Sequence, residues 1–292
     1  MNLLITIPAY NEAKNIASVI RLIRKVMNPR KETYTVLVVD DGSRDATRHI
    51  ALQEGAHVIT HPKNYGLAEV FRTEMAYATS KKFDAIVHID ADGQYSPEEI
   101  PLLLCELDRG YDLVLGSRFR GTIESMPWLK RVGNRAFSFV ISNITRKRLS
   151  DCQTGFRAFT LPVAKLPIRS NYTYTQEQII HAIRSKFRVK EVPVYFAERK
   201  GKSRLMRHPL EYALKSGITI IRIYRDYEPL KFFGFFGLCF FLLGFLIGLY
   251  LLALFFATGI VGHLPLTLLT VLLISMGIQV ILFGFLADMG RR

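Results

Sequence analysis

A chain of 292 residues with a formal net charge of +14 has room for one soluble domain of about 200 residues plus a membrane part. Its charge favours anionic partners such as phosphates, anionic lipid headgroups or nucleic acid, and also fits a solvated surface and the flanks of membrane segments. The three cysteines, Cys105, Cys152 and Cys239, stand far apart and odd in number, which excludes a disulfide framework or a zinc-ligand spacing and points to a reducing compartment for the soluble part.

The opening MNLLITIPAYNE reads as a first β-strand, with neither a basic leader nor a cleavage site, so the soluble part is expected to stay unexported. TYTVLVVD, AHVIT, DAIVHID and DLVLGS follow as short apolar, β-branched runs, with helical stretches near 12–27, 45–54, 67–80 and 97–109 between them. This alternation implies an α/β domain whose mostly parallel sheet is covered on both faces. Ligands bind such sheets at the carboxyl ends of the strands. Polar clusters fall there: Pro8-Ala9-Tyr10-Asn11-Glu12 after the first strand, Asp40-Asp41-Gly42-Ser43 after the second and Asp90-Ala91-Asp92-Gly93-Gln94 after the fourth. Neither GxGxxG nor GxxxxGK[ST] occurs, so a dinucleotide fingerprint and a P-loop are both unsupported.

Asp90 and Asp92, at i and i+2 with Gly93 to turn the chain, can both point at one divalent cation. Mg²⁺ and Mn²⁺ prefer oxygen ligands and share them with substrate phosphates, and Gln94 can add a carbonyl oxygen. The alternative is a polar turn ahead of a helix started by Ser96-Pro97. Asp40-Asp41-Gly42-Ser43 likewise reads either as a turn and helix cap or as a partner for a nucleotide's base or ribose.

Beyond Gly116 the chain is rich in arginine: Arg118, Arg120, Arg131, Arg135, Arg146, Arg148 and Arg157. Two or three are expected on substrate and the rest on solvated helix faces. Glu177 sits in TYTQEQII, where it either acts as a base or caps or faces away from a helix. The basic loop Arg199-Lys200-Gly201-Lys202-Ser203-Arg204 suits a lipid phosphate or anionic lipids. The histidines show no metal spacing. After this loop, Leu210, Leu214, Ile218, Ile221 and Tyr224 recur at helical spacing, with Lys215, Arg222 and Arg225 off the stripe. This is either an amphipathic helix in the headgroup plane or an ordinary helix packed on the soluble domain.

Residues 232–287 contain no Asp, Glu, Lys or Arg. Runs at 232–257 and 264–287 each exceed the roughly 20 residues that cross a hydrocarbon core of about 30 Å. A turn-like 258–263 joins them into a hairpin. Arg222, Arg225 and Lys231 precede it, Arg291 and Arg292 follow it, and the connecting loop carries no Lys or Arg. Both ends and the soluble domain are therefore expected in the cytoplasm, with two helices in the cell membrane. A catalytic domain at 1–206, an interfacial helix region at 207–229 and a transmembrane hairpin at 230–292 complete the expected organisation.

The ordered set IPAYNE at 7–12, DDGSRD at 40–45, Asn64 and Gly66, DADGQY at 90–95 and GSR at 116–118 resembles glycosyltransferase family 2, of the Rossmann-like GT-A fold. DCQTGFRAF at 151–159 and FAERKGKSRL at 196–205 resemble its dolichyl-phosphate mannose synthases and polyprenyl-phosphate hexosyltransferases. The likeness spans residues 1–228, and the hairpin matches the two-helix members. It implies that Pro8, Ala9, Tyr10, Glu12 and Asp40 hold the nucleoside, with Asp90 and Ala91 on the nucleotide as well. It implies that Asp90, Asp92 and Gln94 hold the metal on the donor diphosphate. Arg118, Arg131 and Arg199 would contact phosphates, with Arg135, Ser203 and Arg204 beside them. Asp92, Arg118 and Arg131 are the implied catalytic residues. Mannose synthases read D-x-TSGFR where this chain has Cys152-Gln153-Thr154 before GFR, which leaves the sugar open. The Q-x-x-R-W signature of processive members is missing around the single Trp128.

The expected reaction carries a hexose, with inversion, from a nucleoside-diphosphate sugar to a polyprenyl phosphate. Transfer to a glycolipid hydroxyl is the competing enzyme reading. A hydroxyl acceptor needs a general base, whereas a phosphate monoester, with a second pKa near 6, is already mostly dianionic at neutral pH. A nucleic-acid module leaves the Asp90/Asp92 pair without use and lacks aromatics interleaved with its basic runs. Membrane lipids are expected partners, nucleic acid is not, and association with further copies of the chain stays open.

Overall fold

The computed structural model describes residues 1–170, 174–198, 209–260 and 263–290. The elements run β1 Asn2–Ala9, α1 Ile16–Met27, β2 Thr33–Asp40, α2 Thr47–Gln53, β3 His57–Thr60, α3 Leu67–Ser80 and β4 Ala85–His88. They continue with a 3₁₀ turn Pro97–Glu99, α4 Ile100–Asp108, β5 Leu113–Ser117, α5 Trp128–Thr145, β6 Arg157–Thr160, α6 Leu161–Ala164, α7 Tyr174–Arg184 and β7 Val189–Pro193. Three helices close the chain: α8 Pro209–Tyr227, α9 Pro229–Thr258 and α10 Leu264–Met289.

The strands form one seven-stranded sheet in the order β3-β2-β1-β4-β6-β5-β7. Every pairing is parallel except those of β6, which runs antiparallel to β4 and β5. The mostly parallel α/β sheet expected from the alternating pattern is present. β6 and β7 add two strands to the five legible in the sequence. β1 reads as a near-continuous apolar run because both its faces are covered: Leu3, Leu4, Ile5 and Ile7 are fully buried. α1 buries Ile16, Val19, Ile20, Ile23 and Met27 at helical spacing against the sheet core. Register then sets the site. Ala9 pairs with Asp40 across β1 and β2, and Thr6 with His88 across β1 and β4. The loops after these strands therefore emerge at one edge.

The chain divides into two compact units, Met1–Ala213 and Leu214–Arg292. In the second, α9 and α10 pair through small residues. A methyl group on Gly237 would lie 2.7 Å from the Gly277 carbonyl oxygen, an approach that only glycine permits. Both helices are long and apolar enough to cross a membrane. At about 1.5 Å per residue each outruns a hydrocarbon core of about 30 Å.

Candidate active site

The loops after β1, β2 and β4 wall a cleft of about 600 Å³ lined by Pro8, Ala9, Tyr10, Glu12, Asp41, Asn64, Gly66, Asp90, Ala91, Asp92, Gln94 and Arg118. Lys130, Asn134, Gln153, Gly155, Tyr174, Thr175, Gln176 and Phe196 also line it. Two loops are knitted together on the nucleoside side. The Asn11 amide donates to Ser43 Oγ at 2.8 Å, the Arg44 amide to Asn11 Oδ1 at 2.7 Å and the Glu12 amide to Thr47 Oγ1 at 2.8 Å. Gly42 closes the turn at φ +72°, where a Cβ would sit 2.7 Å from the Lys63 backbone.

Asp40, an expected nucleoside contact, is buried and outside the lining, and its Oδ1 accepts the Ser43 amide at 3.2 Å. Its neighbour Asp41 reaches the cleft instead. The Asp41 Oδ1 accepts the Tyr65 amide at 2.9 Å and pairs with His61 Nδ1 at 2.8 Å, while Oδ2 accepts the Gly66 amide at 2.8 Å. This carboxylate fixes the loop that carries Asn64 and Gly66.

The DADGQY segment forms the floor. Gly93 takes φ +73°, and the Gln94 amide donates to Asp92 Oδ1 at 3.1 Å, so the turn aims both carboxylates into the cleft. The Gln94 side chain donates through Nε2 to the Ala197 carbonyl at 3.1 Å, leaving Oε1 as the atom able to meet a cation. Gly155 packs under Asp90: a Cβ there would lie 2.7 Å from Asp90 Cγ. Burial and then the Asp92 charge push the Asp90 carboxyl up, against the pull of His88, Arg118 and Arg157. Such crowding is what a dication between the two carboxylates relieves, so the residues present fit Mg²⁺ or Mn²⁺. No cluster of three or more His, Cys, Asp or Glu suited to a metal occurs among the described residues. A cation at Asp90 and Asp92 would complete its shell with substrate phosphates and water, as Mg²⁺ commonly does.

Positive charge is built in beside this floor. Arg118 is 4 % exposed. Its Nε and Nη2 donate to the two carboxylate oxygens of Asp151 at 2.6 and 2.7 Å, and its own amide donates to Asp151 Oδ2 at 3.0 Å. Its guanidinium lies 5.2 Å from the Phe196 ring centroid. Asp151 is held in turn by Glu191, whose Oε1 accepts the Ser150 and Asp151 amides at 2.8 and 2.9 Å. Arg157 is fully buried and donates to Gln178 Oε1 at 2.8 Å and to the Thr154 carbonyl. Arg118 lines the cleft as a cation with pre-set geometry, and the charge of buried Arg157 also acts on Asp90.

Helix α5 changes the expected set. Its buried residues Asn134, Phe137, Ser138, Ile141 and Ile144 fix its rotation, and Lys130 and Asn134 line the cleft. Arg131 and Arg135, each one residue later and so about 100° around a helix of 3.6 residues per turn, are exposed and outside the lining. Arg135 stacks over Phe119 at 5.5 Å. Arg199, Ser203 and Arg204 lie outside the described residues. Glu177 is buried, accepts the Arg169 and Ser170 amides at 2.9 and 2.8 Å and is outside the lining, although Thr175 and Gln176 are in it. Lys130, Asn134, Asp151 and Gln153 are among the site residues that the sequence left unassigned. DCQTGFRAF flagged the neighbourhood of two of them without their roles.

Comparison with known proteins agrees with this geometry. The model of glycosyl transferase family 2 matches residues 4–165. The dolichyl-phosphate hexose transferase of Haloferax volcanii is 31% identical over 76% of this chain and 93% of its own length. The polyprenol monophosphomannose synthase of Mycolicibacterium smegmatis is 29% identical over 68% of this chain and 78% of its own. Among solved structures, glucosyl-3-phosphoglycerate synthase from Mycobacterium tuberculosis, in complex with Mn²⁺, uridine-diphosphate-glucose and phosphoglyceric acid, matches with a TM-score of 0.58. That match covers 75% of this chain and 79% of the other at 19% identity, and it speaks for the fold. Sheet, cleft and family model together define a glycosyltransferase of the GT-A type. The chain belongs to glycosyl transferase family 2.

Proposed function

We propose that this chain transfers a hexose, with inversion, from a UDP- or GDP-sugar to a polyprenyl phosphate (dolichyl or undecaprenyl) at the cytoplasmic face of a membrane, using Mg²⁺ or Mn²⁺. The observation that carries the reading is the balance of charge in the cleft. Its carboxylates are Glu12, Asp41, Asp90 and Asp92. Asp41 is bound to backbone amides and Glu12 accepts from Asn15 Nδ2 at 2.9 Å, which leaves the Asp90/Asp92 pair, among the described residues, to face the reaction. A hydroxyl acceptor would need a separate base within reach, and Glu177 is held by the Arg169 and Ser170 amides. A phosphate acceptor needs none. The names of the Haloferax and Mycolicibacterium relatives support the same acceptor class, and the Mn²⁺ and UDP-glucose of the mycobacterial structure support the donor and the metal.

In this reading Pro8, Ala9, Tyr10 and Glu12 hold the nucleoside. Asp90 and Asp92, with Gln94, hold the dication, which when bound neutralises charge developing on the departing diphosphate. Arg118 is pre-oriented by Asp151 and adds fixed positive charge without reorganising during the reaction. Lys130, also in the lining, receives the acceptor phosphate. Tyr174, Thr175 and Gln176 close the cleft against water. α9 and α10 serve as the membrane hairpin. α8 serves as an interfacial helix: Leu214, Ile218 and Ile221 are exposed on it, with Arg222 and Arg225 beside them. The test offers the purified chain a panel of radiolabelled UDP- and GDP-sugars with polyprenyl phosphate and Mg²⁺ or Mn²⁺. One nucleotide sugar should label the lipid phosphate. Label found on a glycolipid hydroxyl, with polyprenyl phosphate ignored, would overturn the reading in favour of the glycolipid acceptor.

A further inference from the structure

Beside Arg118 the cleft lining carries two side-chain amides, Asn134 and Gln153, whose orientations are fixed in sequence. Arg118 Nη2 donates to Asp151 Oδ1 at 2.7 Å and to Asn134 Oδ1 at 3.2 Å. A guanidinium has donors and no acceptor, so the oxygen of the buried Asn134 amide is the end that faces it. The nitrogen of Asn134 then donates to the Lys130 carbonyl at 3.3 Å and to Gln153 Oε1. This engages the accepting end of Gln153. Its donor, Nε2, is the end left for a ligand.

The backbone that carries this donor is also held. The Gln153 amide donates to Asp151 Oδ1 at 3.3 Å, and the Cys152 amide to Ser138 Oγ of α5 at 3.0 Å. Asp151 and Ser138 are buried, whereas Gln153 is half-buried. A donor set in place before its ligand arrives loses little side-chain freedom on binding. Gln153 is tied to both ends of the proposed chemistry. Gly155, two residues on, packs under Asp90, where the donor diphosphate is read to sit. Asn134 shares α5 with Lys130, which is read to receive the acceptor phosphate. The group that lies between a departing diphosphate and an incoming phosphate is the sugar itself, and its hydroxyl oxygens accept hydrogen bonds.

We infer that Gln153 is a specificity-determining residue for the transferred hexose: its Nε2 donates to one sugar hydroxyl, with the polarity of the amide set by Arg118 through Asn134. The inference rests on the proposed transfer reaction and names the residue that reads its sugar. An epimer that turns this hydroxyl away leaves the donor without its partner and is disfavoured.

The full chain is assayed for transfer to polyprenyl phosphate with its nucleotide sugar and with analogues lacking each sugar hydroxyl in turn. Parent, Gln153→Met and Gln153→Ala are compared, with folding checked by circular dichroism. Methionine keeps the length of the side chain without a donor, and alanine covers the case in which methionine packs badly. In the parent, one deoxy analogue should lose about tenfold in kcat/KM, the factor of a single neutral hydrogen bond. In both variants that analogue should perform as well as the complete sugar, while the penalties at the other positions stay as in the parent. A purely structural role for Gln153 would instead lower all donors by one common factor, and such a result overturns the inference while leaving the transfer reaction standing. Unchanged deoxy penalties with a raised KM for polyprenyl phosphate overturn it in favour of a contact to the acceptor. A parent chain that moves no hexose to polyprenyl phosphate overturns the proposed function, and the inference with it.

Discussion

Replacing Asp151 with alanine strands a guanidinium. Arg118 is 4 % exposed and Asp151 is fully buried, and the pair is bidentate at 2.6 and 2.7 Å. Removing one member of a buried ion pair costs about 3–5 kcal/mol, because the survivor stays buried without its counter-charge. For a unit the size of Met1–Ala213, each kcal/mol moves the unfolding midpoint by roughly 2–4 °C, so Asp151→Ala should melt about 6–20 °C below the parent. Arg118→Met/Asp151→Leu removes both charges and keeps most of the volume, a change that is often neutral or stabilising. The double variant should therefore regain the parental midpoint while remaining inactive, since the cation facing the cleft is gone. Thermal unfolding of the detergent-solubilised chain, followed by circular dichroism, and initial rates of sugar transfer measure the two effects separately. A single variant as stable as the parent would refute the reasoning, as would a double variant that retains transfer activity.

Gly155→Ala forces a methyl group to 2.7 Å from Asp90 Cγ and so displaces that carboxylate. A misplacement of this order costs about 10²-fold in rate, and full activity in a folded Gly155→Ala protein would show that Asp90 has room to spare. Glu177→Gln replaces one of the two oxygens that accept the Arg169 and Ser170 amides. Its cost should be one of stability, about 1–3 kcal/mol for an unsatisfied buried group, with turnover close to the parent. Abolished turnover in a folded, metal-binding Glu177→Gln protein would point to a hydroxyl acceptor.

The sheet was legible because its strands are continuous apolar runs, and α3 was read to the residue because Gly66 stands at its start and the turn at Lys81 ends it. β6 was hidden. Its four residues, Arg157–Thr160, begin with a fully buried arginine, and its antiparallel pairing with β4 and β5 joins segments far apart in sequence. No local pattern encodes that. The rotation of α5 was readable in principle: Phe137, Ile141 and Ile144 put Lys130 and Asn134 on the packed side and Arg131 and Arg135 on the other. The resemblance implied Arg131 and Arg135 as phosphate contacts, and in this structure both are exposed and outside the cleft lining. Adjacent Asp40 and Asp41 posed the same problem at the end of β2. Which of them turned toward the cleft depended on the 61–66 loop, whose amides Asp41 collects. The two apolar helices at 229–258 and 264–289 needed no tertiary information, since length and the absence of charge define them.

Paramagnetic resonance of Mn²⁺ bound to the purified chain probes the paired aspartates most directly, with UDP and GDP each added as the diphosphate ligand. With the matching nucleotide, the Mn²⁺ signal should show coupling to phosphorus in the parent chain, and Asp92→Asn should lose that coupling along with tight Mn²⁺ binding while keeping its fold. Unchanged Mn²⁺ affinity and an unchanged phosphorus coupling in folded Asp92→Asn would place the metal and the diphosphate elsewhere and contradict the proposed chemistry.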